Sequence, residues 1–211
     1  MILKEGLEPG DRLPTERDLS TRFSVSRSVV REAIKRLQSL GRVHSLQGSG
    51  TRVASPSGEQ VAAGYRWLFQ HMDLKLEHLA AVRLPLETTI AALAAEHRTE
   101  HHLDQLKAAQ STLADESCGL KSQITADVEF HAILAEATGN PIFQMILGPI
   151  QELLIESRRR TISEYGASLA HEHHEKILAA VQGRKPDAAY QAMSEHLKTN
   201  AAHLAKLDPS R

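Results

Sequence analysis

Leu13-Pro14-Thr15-Glu16-Arg17-Asp18-Leu19-Ser20, followed shortly by Val25-Ser26-Arg27-Ser28-Val29-Val30-Arg31-Glu32-Ala33-Ile34, decides the fold of the first part of this 211-residue chain. Thr15 follows Pro14 and precedes Asp18 by three residues, an N-cap signal for a helix running to about Phe23; Ser24-Val25 then makes a turn. From Ser26 the apolar residues Val30, Ala33, Ile34, Leu37 and Leu40 recur at helical spacing, and Gly41 is a natural stop. The opposite face carries Arg27, Arg31 and Lys35 at four-residue steps, with Ser28 near the N-terminal end, the end that a recognition helix brings to the major groove. Guanidinium forks there read guanine edges or hold phosphates. Beyond Gly41, Arg42–Leu46 and Thr51–Val53 flank Gln47-Gly48-Ser49-Gly50. This is a short hairpin whose glycine tip lets the backbone approach a phosphate or enter the minor groove. A basic, solvated helix in a small helical domain would carry the same arginines. The order helix, turn, basic helix, hairpin favours contact with DNA.

Residues from about Gly6 to Val53 resemble the winged helix-turn-helix of the GntR superfamily of bacterial repressors. The likeness rests on Gly-Leu-Glu-Pro-Gly-Asp-Arg-Leu-Pro-Thr-Glu-Arg-Asp-Leu and then Val-Ser-Arg-Ser-Val-Val-Arg-Glu-Ala. The resemblance implies double-stranded operator DNA as the partner, contacted by Arg17, Ser26, Arg27, Ser28 and Arg31, with Gly48 at the wing tip. Winged helix domains of this family begin with a helix that packs across the other two, whereas only Met1-Ile2-Leu3-Lys4-Glu5 precedes Gly6. The expectation is therefore a truncated first helix, leaving Leu19, Phe23, Val30, Ile34 and Leu37 short of one wall of their core.

Length and a hydrophobic content of 41% suit a two-domain protein with sizeable cores. Residues 1–58 hold ten Lys/Arg against six Asp/Glu, a balance of +4, so the remainder carries −5 to reach the net charge of −1. The basic charge sits where DNA would bind. Cys118 is the only cysteine, which excludes an internal disulfide and fits a reducing cytoplasm. No apolar run reaches the length of a membrane span, and no signal-peptide pattern follows Met1.

Ala54-Ser55-Pro56-Ser57-Gly58 is small and rich in breakers, a linker that divides a 1–55 winged helix-turn-helix from a 59–207 all-helical domain. In the second part alanine, leucine and glutamate dominate and no strand is suggested. Six or seven helices are expected, at roughly 59–72, 75–97, 100–115, 121–138, 141–165, 168–183 and 186–206. Short connections imply antiparallel packing into a bundle, so the fold class is mainly α with a small β-hairpin wing.

Eleven of the twelve histidines follow the linker. His71, His78, His97, His101, His102 and His203 lie near helix ends or among charges and read as solvated. Asp127 and His131 are one turn apart on the side that continues to Leu134 and Ala135. His174 precedes Ile177, Leu178 and Val181 on an apolar stripe, and His196 follows Ala189 and Met193 on another. Three imidazoles and a carboxylate converging from three helices would make a first shell for zinc, nickel or another divalent ion. A buried His–Asp pair with two satisfied core histidines accounts for the same spacing.

Asp-Val-Glu-Phe-His at 127–131, Thr-Gly-Asn-Pro at 138–141, His-Glu-Lys-Ile-Leu at 174–178 and Glu-His-Leu at 195–197 resemble the FCD-type effector domain of the FadR branch. The likeness covers nearly all of 75–205. It implies a divalent metal held by Asp127, His131, His174 and His196, zinc in the first place with nickel or manganese as alternatives. It also implies a small organic carboxylate effector that completes the coordination. Arg83 matches an arginine that faces the same pocket, where guanidinium and metal would clamp a carboxylate from two sides; pairing with Glu87 one turn on is equally open. The family has Glu where His173 stands, so His171-Glu172-His173-His174 offers alternative donors.

Together these readings describe a ligand-responsive transcriptional repressor, not an enzyme, that binds a pseudo-palindromic operator as a homodimer because a short recognition helix reads few bases alone. A metal-sensing regulator keeps the same parts with the ion as the signal. A metal-dependent hydrolase would need a base beside the metal, and His171-Glu172-His173-His174-Glu175 is not the HExxH pattern of zinc proteases.

Overall fold

The computed structural model describes residues 1–46, 50–55, 59–72 and 75–207, which form two compact units, Met1–Gln60 and Val61–Arg211. In the first unit α1 (Glu16–Phe23) and α2 (Arg27–Ser39) precede the antiparallel pair β1 (Val43–Leu46) and β2 (Gly50–Val53), registered with Val43 opposite Val53 and Leu46 opposite Gly50. Local chemistry sets each boundary. Thr15 and Asp18 form a reciprocal capping box, each side chain meeting the other's backbone N–H at 3.3 Å. Ser24 ends α1 in the left-handed region at φ 53°, and Ser26 caps α2 by accepting from the Val29 N–H.

Leu13, Leu19, Val30, Ile34, Val43 and Val53 form the buried core of this unit, with Met1, Ile2, Leu7 and Leu37 packed partly buried against it. The segment 1–7 thus covers part of the core. Phe23 and Val29 remain about half exposed along an apolar groove of about 1000 Å³.

The second unit is helical throughout its described residues: α3 (Glu59–His71), α4 (Leu76–His97), α5 (Glu100–Ala114), a 3-10 turn (Glu116–Cys118), α6 (Leu120–Ala137), α7 (Pro141–Leu153), α8 (Ile155–Tyr165), α9 (Ser168–Gln182) and α10 (Pro186–Leu207). Asn140 caps α7 with Pro141 at its first position, and Gly139 and Gly166 take φ of 71° and 77°, a conformation glycine adopts without strain. The expected single helix at 141–165 is two. At Leu154 the chain tightens, with the Leu154 N–H bonding the carbonyl of Gln151 three residues back, and α8 begins at Ile155. Gly148 and Pro149 weaken the preceding ladder, proline by lacking a donor.

The helices that pack most closely are not all neighbours in sequence: α4 lies along α10 and α6, and α5 along α6 and α9. Ile90, Ala91, Ala94, Leu106, Phe130 and Leu134 are fully or almost fully buried where these meet. Alanines on α4 let the helices approach, and the larger side chains fill the space. No helix among the described residues is long and apolar enough to cross a membrane.

Replacing Leu134, fully buried in this core, by Ala should destabilise the bundle by ~2–5 kcal/mol, read from the denaturant midpoint by circular dichroism. A loss under ~1 kcal/mol would mean that the core closes around the gap.

Candidate nucleic-acid face and metal centre

The α1–α2 pair presents its polar face to solvent. Arg17 on α1, the cap residue Ser26, and Arg27, Ser28 and Arg31 on α2 are all exposed. Ser26 and Ser28 place their hydroxyls 2.8 Å apart at the start of α2. Arg31 is engaged by Glu16 in a two-pronged pair, Nη2 to Oε2 at 2.9 Å and Nε to Oε1 at 3.2 Å, which ties α2 to α1. Lys35 pairs with Glu32 at 2.9 Å. Arg17 and Arg27 have no carboxylate partner among the described residues. Gly48 lies outside the described residues. Glu16 was missing from the sequence reading, although its position two residues before Asp18 on the first turn of α1 puts it within reach of α2.

In the bundle, α6 delivers His131, α9 delivers His174 and α10 delivers His196, each buried. Helical periodicity alone aims them inward, since each continues the apolar stripe of its helix. One donor nitrogen from each lies within 4.8 Å of the other two. Ring centroids are 5.2 Å apart for His131 and His174, 5.3 Å for His131 and His196, and 4.8 Å for His174 and His196. Phe130 stacks on His174 at 4.1 Å, closing that side.

Two carboxylates flank the three rings. Asp127 places Oδ1 3.6 Å from His174 Nε2, while its Oδ2 accepts from the Nε–H of Arg158. Glu87 places Oε2 2.6 Å from His131 Nδ1 and, through Oε1, accepts from Arg83 Nε. Arg83 therefore pairs with Glu87, as its spacing allowed, and Asp127 stands beside the three histidines rather than among them. Arg158 is the residue that sequence reasoning missed. It sits four residues after Leu154 and four before Ile162, both buried, so the stripe of α8 marked it as inward. His173 is buried with its ring 5.7 Å from His196 but contributes no donor to the group, and His171 is drawn toward Glu175 at 3.8 Å. Of the alternative donors in this segment, His174 is the one that joins.

Burial dominates the charge states. It pushes the pKa of His174 down from 6.5 to about 3, with Asp127 opposing and His131 and Arg158 adding to the effect. Burial and then the neighbouring His174 and His131 push His196 well below its ordinary value. Burial would raise Asp127 and Glu87, but Arg158 and His174 in one case and Arg83 and His131 in the other outweigh it and hold both below the usual carboxylate range. The interior thus contains two ion pairs, and His174 and His196 are neutral at neutral pH.

Neutral imidazole is the ligating form. Nε2 of His131, both nitrogens of His174 and Nδ1 of His196 are buried without a hydrogen-bond partner, while Nδ1 of His131 lies against Glu87 Oε2. Buried polar atoms ordinarily find partners, so this concentration of lone pairs on one centre fits a divalent cation. The remaining contacts have the character of supports: Glu87 beside His131 and the Asn200 amide 3.2 Å from His196 Nε2 would fix which nitrogen of each ring stays free.

A reading unit with a basic helix, joined to a helical bundle with a polar centre, defines a two-part transcription regulator. The comparisons agree. A family model described as bacterial regulatory proteins, gntR family, matches residues 1–53, and the FCD domain model matches residues 78–199. The HTH-type transcriptional repressor NanR of Citrobacter rodentium (strain ICC168) is 33% identical over 213 residues, covering 96% of this chain and 80% of that protein. NanR of Escherichia coli (strain K12) is 31% identical over 209 residues, covering 96% and 79%. The solved structure of Streptococcus agalactiae GntR superposes with a TM-score of 0.70 at 29% identity, over 94% of this chain and 92% of that one. E. coli McbR/YncC, with a TM-score of 0.55 at 21% identity over 96% and 90%, shares the fold. The chain belongs to the GntR family of transcription regulators with an FCD domain, and is a regulator rather than an enzyme.

The lowered histidine pKa values make metal-free stability depend on pH. In the unfolded chain His174 and His196 take up protons as pH falls through about 6.5. In the folded chain they resist, His174 down to about 3. Their contribution is complete above that unfolded value and declines below it, by about 1.4 kcal/mol per pH unit for each. The denaturant midpoint of metal-free protein should fall between pH 7.5 and 5.5, and His174→Gln should flatten the slope by about one proton. An unchanged slope in that variant would show that His174 titrates alike in both states.

Proposed function

We infer that the chain is a ligand-responsive repressor that acts in the cytoplasm and binds a pseudo-palindromic operator as a homodimer. A small organic carboxylate, bound at a metal in the bundle, releases it from the DNA. Residues 1–55 form the DNA-binding domain, and 59–207 the effector-binding and dimerisation domain. The observation that carries this reading is the set of buried imidazole nitrogens without partners, in the same chain as an exposed basic recognition helix. His131, His174 and His196, with Asp127 as the carboxylate beside them, would hold the ion. Three nitrogens and one oxygen suit zinc and also admit nickel or manganese.

When bound, the metal supplies a Lewis acid for the effector's carboxylate. The chain's own residues do the rest: Arg83 presents a second cationic contact, Phe130 shields one face of His174, and Arg158 holds the Asp127 carboxylate in place. On the DNA side, Arg17, Ser26, Arg27, Ser28 and Arg31 contact the operator, with Gly48 at the wing tip. The relatives named repressors support the direction of control. Exposed apolar side chains on one face of α7, Ile142, Met145 and Ile146, are the kind of surface that dimers bury.

Purified protein should carry about one divalent ion per chain by mass-spectrometric metal analysis, lost in His131→Ala and His196→Ala. Full occupancy in the double variant would overturn the assignment and leave the histidines as core residues. Operator fragments selected from random DNA should be bound more weakly by Arg27→Ala, with the salt slope reduced by about one if Arg27 holds a phosphate, or with specificity relaxed at one base pair if it reads guanine. Unchanged affinity in the folded variant would remove Arg27 from the interface. Release by metal alone after dialysis against chelator would make the ion itself the signal.

A further inference from the structure

We propose that Arg12, Arg52 and His44 form a phosphate-binding row on the outer face of the hairpin, which grips the DNA backbone without reading bases. The row rests on the DNA-binding reading above and extends it to residues outside the recognition helix. Gly10, Asp11, Arg12 and Leu13 run antiparallel along the other edge of β2. The Gly10 N–H bonds the Val53 carbonyl at 2.9 Å, the Val53 N–H bonds the Asp11 carbonyl at 2.9 Å, and the Leu13 N–H bonds the Thr51 carbonyl at 2.8 Å. Arg12 thereby stands opposite Arg52, which stands opposite His44 on β1. Residues directly opposite in a sheet share a face. Their neighbours Leu13, Val43 and Val53 are buried in the core of this unit, so the row points away from it. Arg12 and His44 are exposed and Arg52 is partly so.

Two features set this row apart from an ordinary basic surface. Like charges directly opposite each other destabilise a sheet. The backbone bonds on either side of Arg12 and Arg52 make them a non-hydrogen-bonded pair, the class whose Cα atoms are only about 4.5 Å apart. Neither guanidinium has a carboxylate partner among the described residues. Residues 42–58 contain no Asp or Glu, and the Asp11 carboxylate accepts from the Glu8 N–H at 2.8 Å. The strand is also shaped around Arg12. Gly50 takes φ 83°, and a Cβ there would stand 2.9 Å from Arg12 Nε and 3.3 Å from its Cζ. Glycine therefore lets the guanidinium lie against the first residue of β2. Arg52 reaches the other way and donates from Nη1 to the Gly10 carbonyl at 2.7 Å. A like-charge pair that the backbone accommodates and no acid neutralises breaks a local rule of sheet formation, and such breaks concentrate at functional sites. Phosphates supply the missing negative charge, and His44 adds a ring N–H donor at the end of the row. Contacts of this kind carry no sequence information, so the row acts alike on any duplex.

The test uses the full chain, an operator fragment selected from random DNA and a scrambled duplex of equal length. Arg12→Thr should weaken binding to both duplexes by the same factor, about three- to tenfold, and lower the salt slope on each by about 0.9. Arg52→Gln should repeat the loss on both. Arg12→Lys keeps the charge and should stay within about twofold of the parent. Because Arg12→Thr relieves the repulsion, the amides of 43–46 and 50–53 should be at least as well protected from hydrogen exchange as in the parent. A loss confined to the operator would overturn the proposal in favour of base reading. Unchanged affinity in Arg12→Thr would remove the row from the interface and leave the recognition helix, probed by Arg27→Ala, in place. Weaker amide protection in Arg12→Thr that Arg12→Lys does not share would also overturn it, by making Arg12 a brace of the hairpin. Failure of the parent chain to bind either duplex would overturn DNA binding itself.

Discussion

A dry interior cannot hold charged imidazoles in mutual contact, and the arrangement of the bundle follows from that constraint. His131, His174 and His196 come together with ring centroids about 5 Å apart and with no water-facing side. For His174 and His196 repulsion and desolvation both favour the neutral form, and neutral rings leave lone pairs that need a partner. Two cations and two carboxylates then share the same interior without net charge. Each guanidinium is matched to one carboxylate, Arg83 to Glu87 and Arg158 to Asp127, and each carboxylate also faces a histidine. Removing one member of either pair would strand its partner's charge, a far larger penalty than replacing both by apolar groups. Side chains from α4, α6, α8, α9 and α10 all take part, so the polar centre also fixes how these helices meet.

Much of this was legible because the determining interactions are local or periodic. The Thr15 cap with Asp18 and the Ser24-Val25 turn are contacts within a few residues, and with the apolar spacing from Ser26 they defined α1 and α2 from sequence; the Ser26 cap itself was not read. The inward aim of the three histidines followed from their places on apolar stripes. The 141–165 segment was different. Its helical periodicity runs on through Leu154, and Gly148 and Pro149 were the only local signs that the ladder weakens before the tightened turn there. Arg158 was hidden by the same break. Its four-residue spacing from Leu154 and Ile162 marks it as inward, but the carboxylate that receives it, Asp127, is thirty-one positions away and no local pattern names it. Glu87 was seen only as a partner for Arg83; its second role depends on α4 lying against α6. The pairing of α5 with α9 likewise belongs to three-dimensional shape complementarity.

The Glu16–Arg31 clasp has a consequence for how such a protein moves among DNA sites. The first part of the chain carries a formal surplus of +4, yet on the α1–α2 face Arg31 and Lys35 already have carboxylate partners, leaving Arg17 and Arg27 as the guanidinium groups with none among the described residues. Counterion release from arbitrary sequence scales with the number of phosphates neutralised, so a face that starts with few unpaired cations gains little on random DNA. If Arg31 contacts the operator as proposed, it exchanges its two-pronged contact with Glu16 for another fork-shaped acceptor, such as the O6 and N7 edge of guanine. On that reading sites that lack such an acceptor would be held less tightly, and discrimination would come from an internal competitor as well as from attraction to the target.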